Sequence, residues 1–201
     1  MATSGVAGTA RAMSLTDWIV LAVIAEEPRH GFSVARELAP DAPIGQVWTV
    51  RRPLVYRALE YLAGDRLIEA SRTEPGTQGP HRTVYRATRT GRARLTRWLD
   101  EPVDHPREVR AELLAKFVLR ARRGEALAPL AQRQLELFGP VTDGLTRATR
   151  RAAGADRVVA RWRLESTRAI ARTLEAIIAD EARGVLDVAA VASANGADAD
   201  D

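Results

Sequence analysis

Apolar positions crowd the stretch from Leu15 to Ala25, where Ile19, Leu21, Val23 and Ile24 follow Ser14 or Thr16 as a cap. So dense a pattern predicts a buried first helix, ended by Pro28. A second, short helix is expected from about Gly31 to Leu38, with Val34, Ala35 and Leu38 on one face, before Pro40 and Pro43 break the chain. A third helix follows from about Arg52 to Ala63. Its Val55, Leu59 and Leu62 recur at i, i+4, i+7 and face inward, and Gly64 closes it. The period then becomes two. Leu67–Arg72 and Thr83–Thr88 read as strands. The residues between them include Pro75, Gly76, Gly79 and Pro80, the chemistry of a hairpin with an exposed tip. Thr88 caps a fourth helix carrying Leu95, Trp98 and Leu99, and Pro102 and Pro106 mark a linker.

Beyond the linker, residues 107–184 are helical in pattern. One helix carries Val109, Leu113, Leu114, Phe117 and Val118. A second carries Leu127, Leu130, Leu137, Phe138, Val141 and Leu145, with a kink or break expected at Gly139-Pro140. A third carries Val159, Trp162, Ala169, Ile170, Leu174, Ile177 and Ile178. Such wide apolar stripes without a compact fourth partner predict that some of this surface buries against another chain. Residues 1–12 are small and polar, and residues 186–201 are rich in Ala and Asp without a basic residue, so both are expected to be disordered tails. The expected organisation is a mainly α chain: a three-helix-plus-hairpin domain over 13–101, then an α-helical dimerisation domain over 102–185.

Charge sharpens this picture. The net charge is only +4, but residues 51–97 hold eleven arginines against Glu60, Asp65, Glu69 and Glu74. That stretch alone carries +7 and leaves −3 for the rest. An arginine-biased composition explains why Lys116 is the one lysine, but not why acids avoid this segment. A basic middle between near-neutral flanks is the footprint of a polyanion partner. Absent cysteine excludes disulfides, thiolate metal sites and a cysteine nucleophile. No apolar run is long enough to cross a bilayer, and no signal-peptide pattern precedes Asp17, so the cytoplasm is the expected compartment.

Helix, helix, helix, hairpin is the order of a winged helix-turn-helix, in which the third helix enters the major groove and the hairpin lies along the DNA. With Val55, Leu59 and Leu62 turned inward, Arg52, Pro53, Tyr56, Arg57 and Glu60 are left on the outer face. Arg51 and Arg52 sit at the helix start, where backbone amides also favour a phosphate. His81 and Arg82 lie near the hairpin tip. The candidate DNA contacts are therefore Arg51, Arg52, Tyr56, Arg57, His81 and Arg82.

Here the chain resembles the PadR family of bacterial regulators. The likeness rests on Pro28-Arg29-His30-Gly31-Phe32 before the second helix, Tyr56-Arg57-Ala58-Leu59 in the third, and Arg66-Leu67-Ile68 at the strand entry. Tyr85, Thr88 and Gly91 continue it after the wing. It spans residues 15–100 and extends more weakly to the segment from Arg110 to Phe117, similar to the opening of the longer C-terminal domain in one branch of the family. Three positions depart from it. Arg51 stands where the family often has Ser, Arg57 where it often has Pro, and Arg66 where it has Gly. The first puts the helix cap in question, with Thr49 as a substitute, and the first two make the outer face more cationic. The resemblance assigns His30 a capping or packing role. It also implies that the last helix reaches the first helix of a partner.

The functional expectation is a homodimeric, sequence-specific regulator of double-stranded DNA, acting as a repressor. Its dimer contacts are expected at Leu113, Phe117, Val159, Trp162, Ile170, Leu174 and Ile177. A small-molecule effector that favours a different spacing of the two DNA-reading helices would release it. Trp18, Trp98 and Trp162 either line an effector pocket between protomers or pack as ordinary dimer core. Arg89, Arg92, Arg94 and Arg97 are either a second DNA surface or a solvated helix face. The alternative function is a winged-helix module that binds a protein. No phosphate loop, nucleophile elbow or zinc-protease motif is present, the histidines His30, His81 and His105 lack metal-ligand spacing, and neither cofactor nor metal is expected.

Overall fold

The computed structural model describes residues 11–76 and 79–191; for 75–80 only the backbone that lies in strands is described. The tails expected at 1–12 and 186–201 lie largely outside these residues. The described order is α1 (Leu15–Glu26), β1 (Arg29–His30), α2 (Gly31–Glu37), α3 (Pro43–Val47), α4 (Arg52–Gly64), β2 (Ile68–Gly76), β3 (Gly79–Ala87) and α5 (Arg89–Asp100). A 3-10 turn (Pro106–Glu108) and a π turn (Val109–Leu113) then lead into α6 (Leu114–Arg122), α7 (Ala128–Arg151) and α8 (Gly154–Ala182). This is a winged helix-turn-helix carrying C-terminal helices.

α1 begins with a capping box. The Ser14 side chain accepts from the Asp17 amide while the Asp17 carboxylate accepts from the Ser14 amide at 2.7 Å. Ile19 through Ile24 are fully buried, so α1 is the central rod of the first core. Around it pack α2, α4, the sheet and α5, and the same core takes Ala115 and Leu119 from α6. The first core thus reaches past Pro102. Ion pairs reinforce that reach. Buried Arg122 of α6 meets Glu26 at 2.6 Å and Glu37 at 3.1 Å. Burial opposes its charge, but the hydrogen bond and attraction of Glu26 and Glu37 outweigh it and hold the guanidinium above its ordinary pKa. Lys116, fully buried, donates to the Glu101 carbonyl at 2.8 Å and pairs with Glu112 at 2.9 Å.

The sheet is antiparallel in the order β1-β3-β2. The two-residue β1, with His30 opposite Val84, was not foreseen, because two residues carry no readable period. Nor was α3, where Pro43 stands at the first turn of a helix rather than breaking the chain. Both strands of the wing run further toward the tip than the sequence pattern indicates, since backbone pairing continues past the apolar alternation. Arg66 has a φ of 57°, the left-handed region. That conformation is why glycine is favoured at this strand entry, and an arginine there costs about 1–2 kcal/mol.

The Thr88 and Gly91 positions have a specific geometry. The Thr88 hydroxyl accepts from the Gly91 amide at 3.0 Å and donates to the carbonyls of Arg66 at 2.9 Å and Leu67 at 3.1 Å. A Cβ on Gly91 would lie 2.1 Å from the Leu67 carbonyl oxygen, a backbone atom that cannot swing aside. Gly91→Ala is therefore expected to destabilise the fold by about 1–3 kcal/mol, lowering the melting temperature by roughly 2–4 °C per kcal/mol. A thermal melt superimposable on that of the parent would show that α5 does not need this approach.

The second core joins Val103, Leu113, Phe117, Leu127, Leu130, Ala131, Phe138 and Leu174. Gln134, wholly buried, clamps the linker to α7. Its amide oxygen accepts from the Val103 N–H at 2.7 Å and its amide nitrogen donates to the Val103 carbonyl at 2.9 Å. α7 runs unbroken through Pro140, so of the kink or break expected there the break does not occur. A helical proline costs about 3 kcal/mol or more in lost bonding and crowding. Here Phe138 and Leu145 are buried on either side of it, so packing against the second core and α8 offsets that cost. α7 packs along α8. Leu186 and Val188 pack against the second core and residues 188–191 form a helical turn, so order extends beyond the point where the tail was expected.

Candidate nucleic-acid interface

The site starts from how α2 is set against α4. The His30 ring nitrogen Nδ1 accepts from the Ser33 amide at 3.0 Å, capping α2, and the Ser33 hydroxyl donates to the His30 carbonyl at 2.8 Å. Gly31 follows, buried. A Cβ on it would lie 2.8 Å from the Tyr56 ring and 3.0 Å from a Leu59 methyl. α2 and α4 therefore meet at a glycine, with the Tyr56 ring laid against it. Tyr56 is still 43% exposed, so one edge packs while the remainder faces solvent.

α4 buries Val55, Ala58, Leu59 and Leu62, as its period requires. Arg51, Arg52, Leu54, Tyr56, Arg57 and Glu60 are exposed. Arg51 holds the N-cap position without a side-chain cap bond. Thr49 does not substitute for it, because its hydroxyl donates to the Gly45 carbonyl at 2.7 Å and closes α3 instead. The first amides of α4 thus have no side-chain cap, and a helix end in that state favours an anion.

The wing brings further cations. His81 and Arg82 on β3 are exposed. Arg72 and Arg86 are locally neutralised, by Glu74 at 2.7 Å and Glu69 at 2.9 Å. Arg51, Arg52, Arg57 and Arg82 have no carboxylate within ion-pair distance among the described residues. One contact joins wing and helix: the guanidinium of Arg52 lies 4.5 Å from the centroid of the Phe32 ring, and that of Arg82 lies 5.6 Å from it. The sequence reading named both arginines but gave Phe32 no role. The one available signal was a large apolar residue on a two-turn helix whose inner face Val34 and Leu38 already fill.

The α5 arginines divide. Arg92 donates to the Ala25 carbonyl at 2.7 Å, closing the end of α1, and Arg94 lies 3.5 Å from Asp65. Arg89 and Arg97 are exposed. Trp18 and Trp98 stack face to face, 5.2 Å between centroids and 3° between planes, within one protomer. They border a cavity of about 400 Å³ with Tyr61, Arg94 and Arg97. Tyr61 has its pKa raised, first by burial and then by the nearby Asp65 carboxylate. Trp162 is not part of this group; it stands on α8, 75% exposed.

The residues expected at a dimer contact also divide. Leu113, Phe117 and Leu174 are buried in the chain's own second core, with Ile170 and Ile177 packed against it. Val159 and Trp162, together with Val158, are exposed on the first half of α8. Among the described residues no group of His, Asp or Glu could hold a metal ion, and no helix is long and apolar enough to cross a membrane.

Comparison with known proteins agrees with the sequence resemblance. Residues 20–97 match the model of the transcriptional regulator PadR-like family. The "Probable transcriptional regulator Rv1176c" of Mycobacterium tuberculosis is 30% identical over 95 residues, covering 47% of this chain and 49% of that protein. The chain thus spans about half the length of the curated relative it matches. Among solved structures, PadR of Bacillus subtilis in complex with operator DNA aligns at 20% identity over 83% of this chain and 99% of that one, with a TM-score of 0.44. The virulence activator AphA of Vibrio cholerae aligns at 17% identity over 85% of this chain and 99% of that one, with a TM-score of 0.34.

Proposed function

We propose that this chain, whose residues 20–97 match the model of the PadR-like regulator family, is a homodimeric repressor that binds double-stranded DNA through α4 and the wing. The observation that carries the reading is a set of exposed arginines with no carboxylate partner among the described residues, Arg51 at the N-cap of α4, Arg52 and Arg57 on α4 and Arg82 on β3, beside a helix face that is buried on its other side. In this reading residues 13–101 read DNA and residues 102–185 pair the protomers. α4 lies in the major groove. Arg52, Tyr56 and Arg57 face base edges and phosphates, Arg51 adds charge at the helix start, and His81 and Arg82 follow the backbone. Two copies place their α4 helices about 34 Å apart, one turn of the duplex. Repression is then steric: the bound dimer excludes other proteins from its site.

An effector fits the same scheme. The cavity beside the Trp18–Trp98 stack has aromatic walls and both cationic groups (Arg11, Arg94 and Arg97) and acidic ones (Asp65 and Glu101), so it suits a small planar molecule with polar substituents. It touches α1, α4 and α5, and a ligand binding it better in one arrangement of those helices shifts α4.

Selection of bound duplexes from a random pool, followed by titration across salt, tests the function. Enrichment of a two-fold-related sequence with steeply salt-dependent affinity is expected. Binding without enrichment, or no binding, would favour a module that docks on a protein. Arg82→Ala separates the wing from α4. It should weaken binding to all duplexes alike and flatten the slope of log affinity against log salt by about 1. A changed sequence preference at an unchanged slope would give the wing a base-reading role instead.

A further inference from the structure

We infer that Phe32 is a positioning residue that holds Arg52 and Arg82 as one two-armed clamp for the DNA backbone. The clamp rests on the DNA-binding reading above and adds a mechanism to it. Three residues far apart in the chain converge: Phe32 in the first turn of α2, Arg52 at the start of α4 and Arg82 on β3. Both guanidinium groups lie within the distance at which a cation is attracted to an aromatic ring, and each would otherwise be a long side chain in solvent. The two carbon centres can be no further apart than the sum of those two distances. Neither arginine has a carboxylate partner among the described residues, so two like charges are held near one ring with nothing between them to neutralise either.

That arrangement is unfavourable for the free protein in one respect and favourable for an anion. The ring offsets part of the repulsion through its negative face. An oxygen anion reaching both groups removes the rest. The ligand chemistry is a phosphodiester, because the arms come from the recognition helix and the wing, and a duplex lying on α4 carries its backbone between them. The donors of a guanidinium match phosphate oxygens in pairs. Phe32 itself, 39% exposed and lacking a buried role in the first core, is a surface aromatic with a stated use. Holding the arms in place before binding removes the ordering cost otherwise incurred when two flexible side chains are immobilised.

The experiment uses the full chain, a duplex selected from the random pool and an unrelated duplex of the same length. Phe32→Leu should weaken binding to both about three- to tenfold, and Phe32→Tyr should restore it. The salt slope should flatten in Phe32→Leu. Arg52→Ala and Arg82→Ala should each cost less when combined with Phe32→Leu than alone, whereas a purely structural role for Phe32 would leave slope and arginine costs unchanged and lower the melting temperature. A second measurement needs no DNA. The Nε–H resonances of Arg52 and Arg82 should carry ring-current shifts that vanish in Phe32→Leu and persist in Phe32→Tyr. Unshifted arginine resonances in the parent, or Phe32→Leu binding both duplexes like the parent, would overturn the clamp while leaving DNA binding intact. A parent that binds neither duplex even at low salt would overturn the DNA reading and remove the clamp's ligand with it.

Discussion

Replacing Arg52 and Arg57 together by alanine should weaken DNA binding by anything from several-fold to a few hundred-fold while leaving the fold and the oligomeric state untouched. Each guanidinium placed on a guanine edge or a phosphate is worth about 1–3 kcal/mol of binding free energy, and about 1.4 kcal/mol is a factor of ten. Both side chains are exposed and make no ion pair among the described residues, so their loss breaks no salt bridge there. Arg52 contributes only its contact with the Phe32 ring. The helix itself is held by Val55, Ala58, Leu59 and Leu62 on the other side. The check is a direct titration of duplex DNA beside a thermal melt. Equal affinity for the parent and the double variant would remove α4 from the interface, whatever the wing does.

Breaking the proposed pairing of protomers should cost still more. Val159→Glu with Trp162→Glu places two charges on the exposed apolar strip of α8, where the parent residues are 58% and 75% exposed. Substitutions at such positions usually alter the stability of a single chain by no more than about 0.5 kcal/mol. If the strip is covered by a second copy, the parent sediments as a dimer at micromolar concentration and the variant as a monomer. Loss of the second half-site then lowers affinity for a two-fold site about a hundred- to ten-thousand-fold. Ending the chain after Glu101 is a poorer test. Ala115 and Leu119 complete the first core and Arg122 bridges Glu26 and Glu37, so that cut exposes the interior of the N-terminal unit itself. A monomeric parent, or a variant that stays dimeric, would move the interface off this face of α8.

The two experiments also separate kinds of sequence information. α4 was legible because a single period, Val55, Leu59 and Leu62, fixes both the buried face and, by subtraction, the exposed one. α1 was legible through its density of apolar residues and the Ser14 cap, and α5 through Thr88. Capping, turn chemistry and hydrophobic period act over three to ten residues, so they can be read without knowing what lies across the fold. The basic excess of residues 51–97 was likewise plain in the sequence, because charge adds regardless of arrangement.

What the sequence could not decide is which remote groups meet. Gln134 reads as an exposed polar residue on a long helix, and only the fold turns it onto both backbone groups of Val103. Pro140 reads as a kink or a break, and burial of Phe138 and Leu145 on either side keeps α7 whole. Leu113, Phe117 and Leu174 stand on apolar stripes just as Val159 and Trp162 do, yet the bundle buries the first three and leaves the other two in solvent. A stripe shows that a face is apolar, not what covers it. Phe32, Arg52 and Arg82 are 20 and 30 residues apart in the chain. Local forces fix α2, α4 and the wing separately; only their packing around α1 brings the ring beneath the two guanidinium groups.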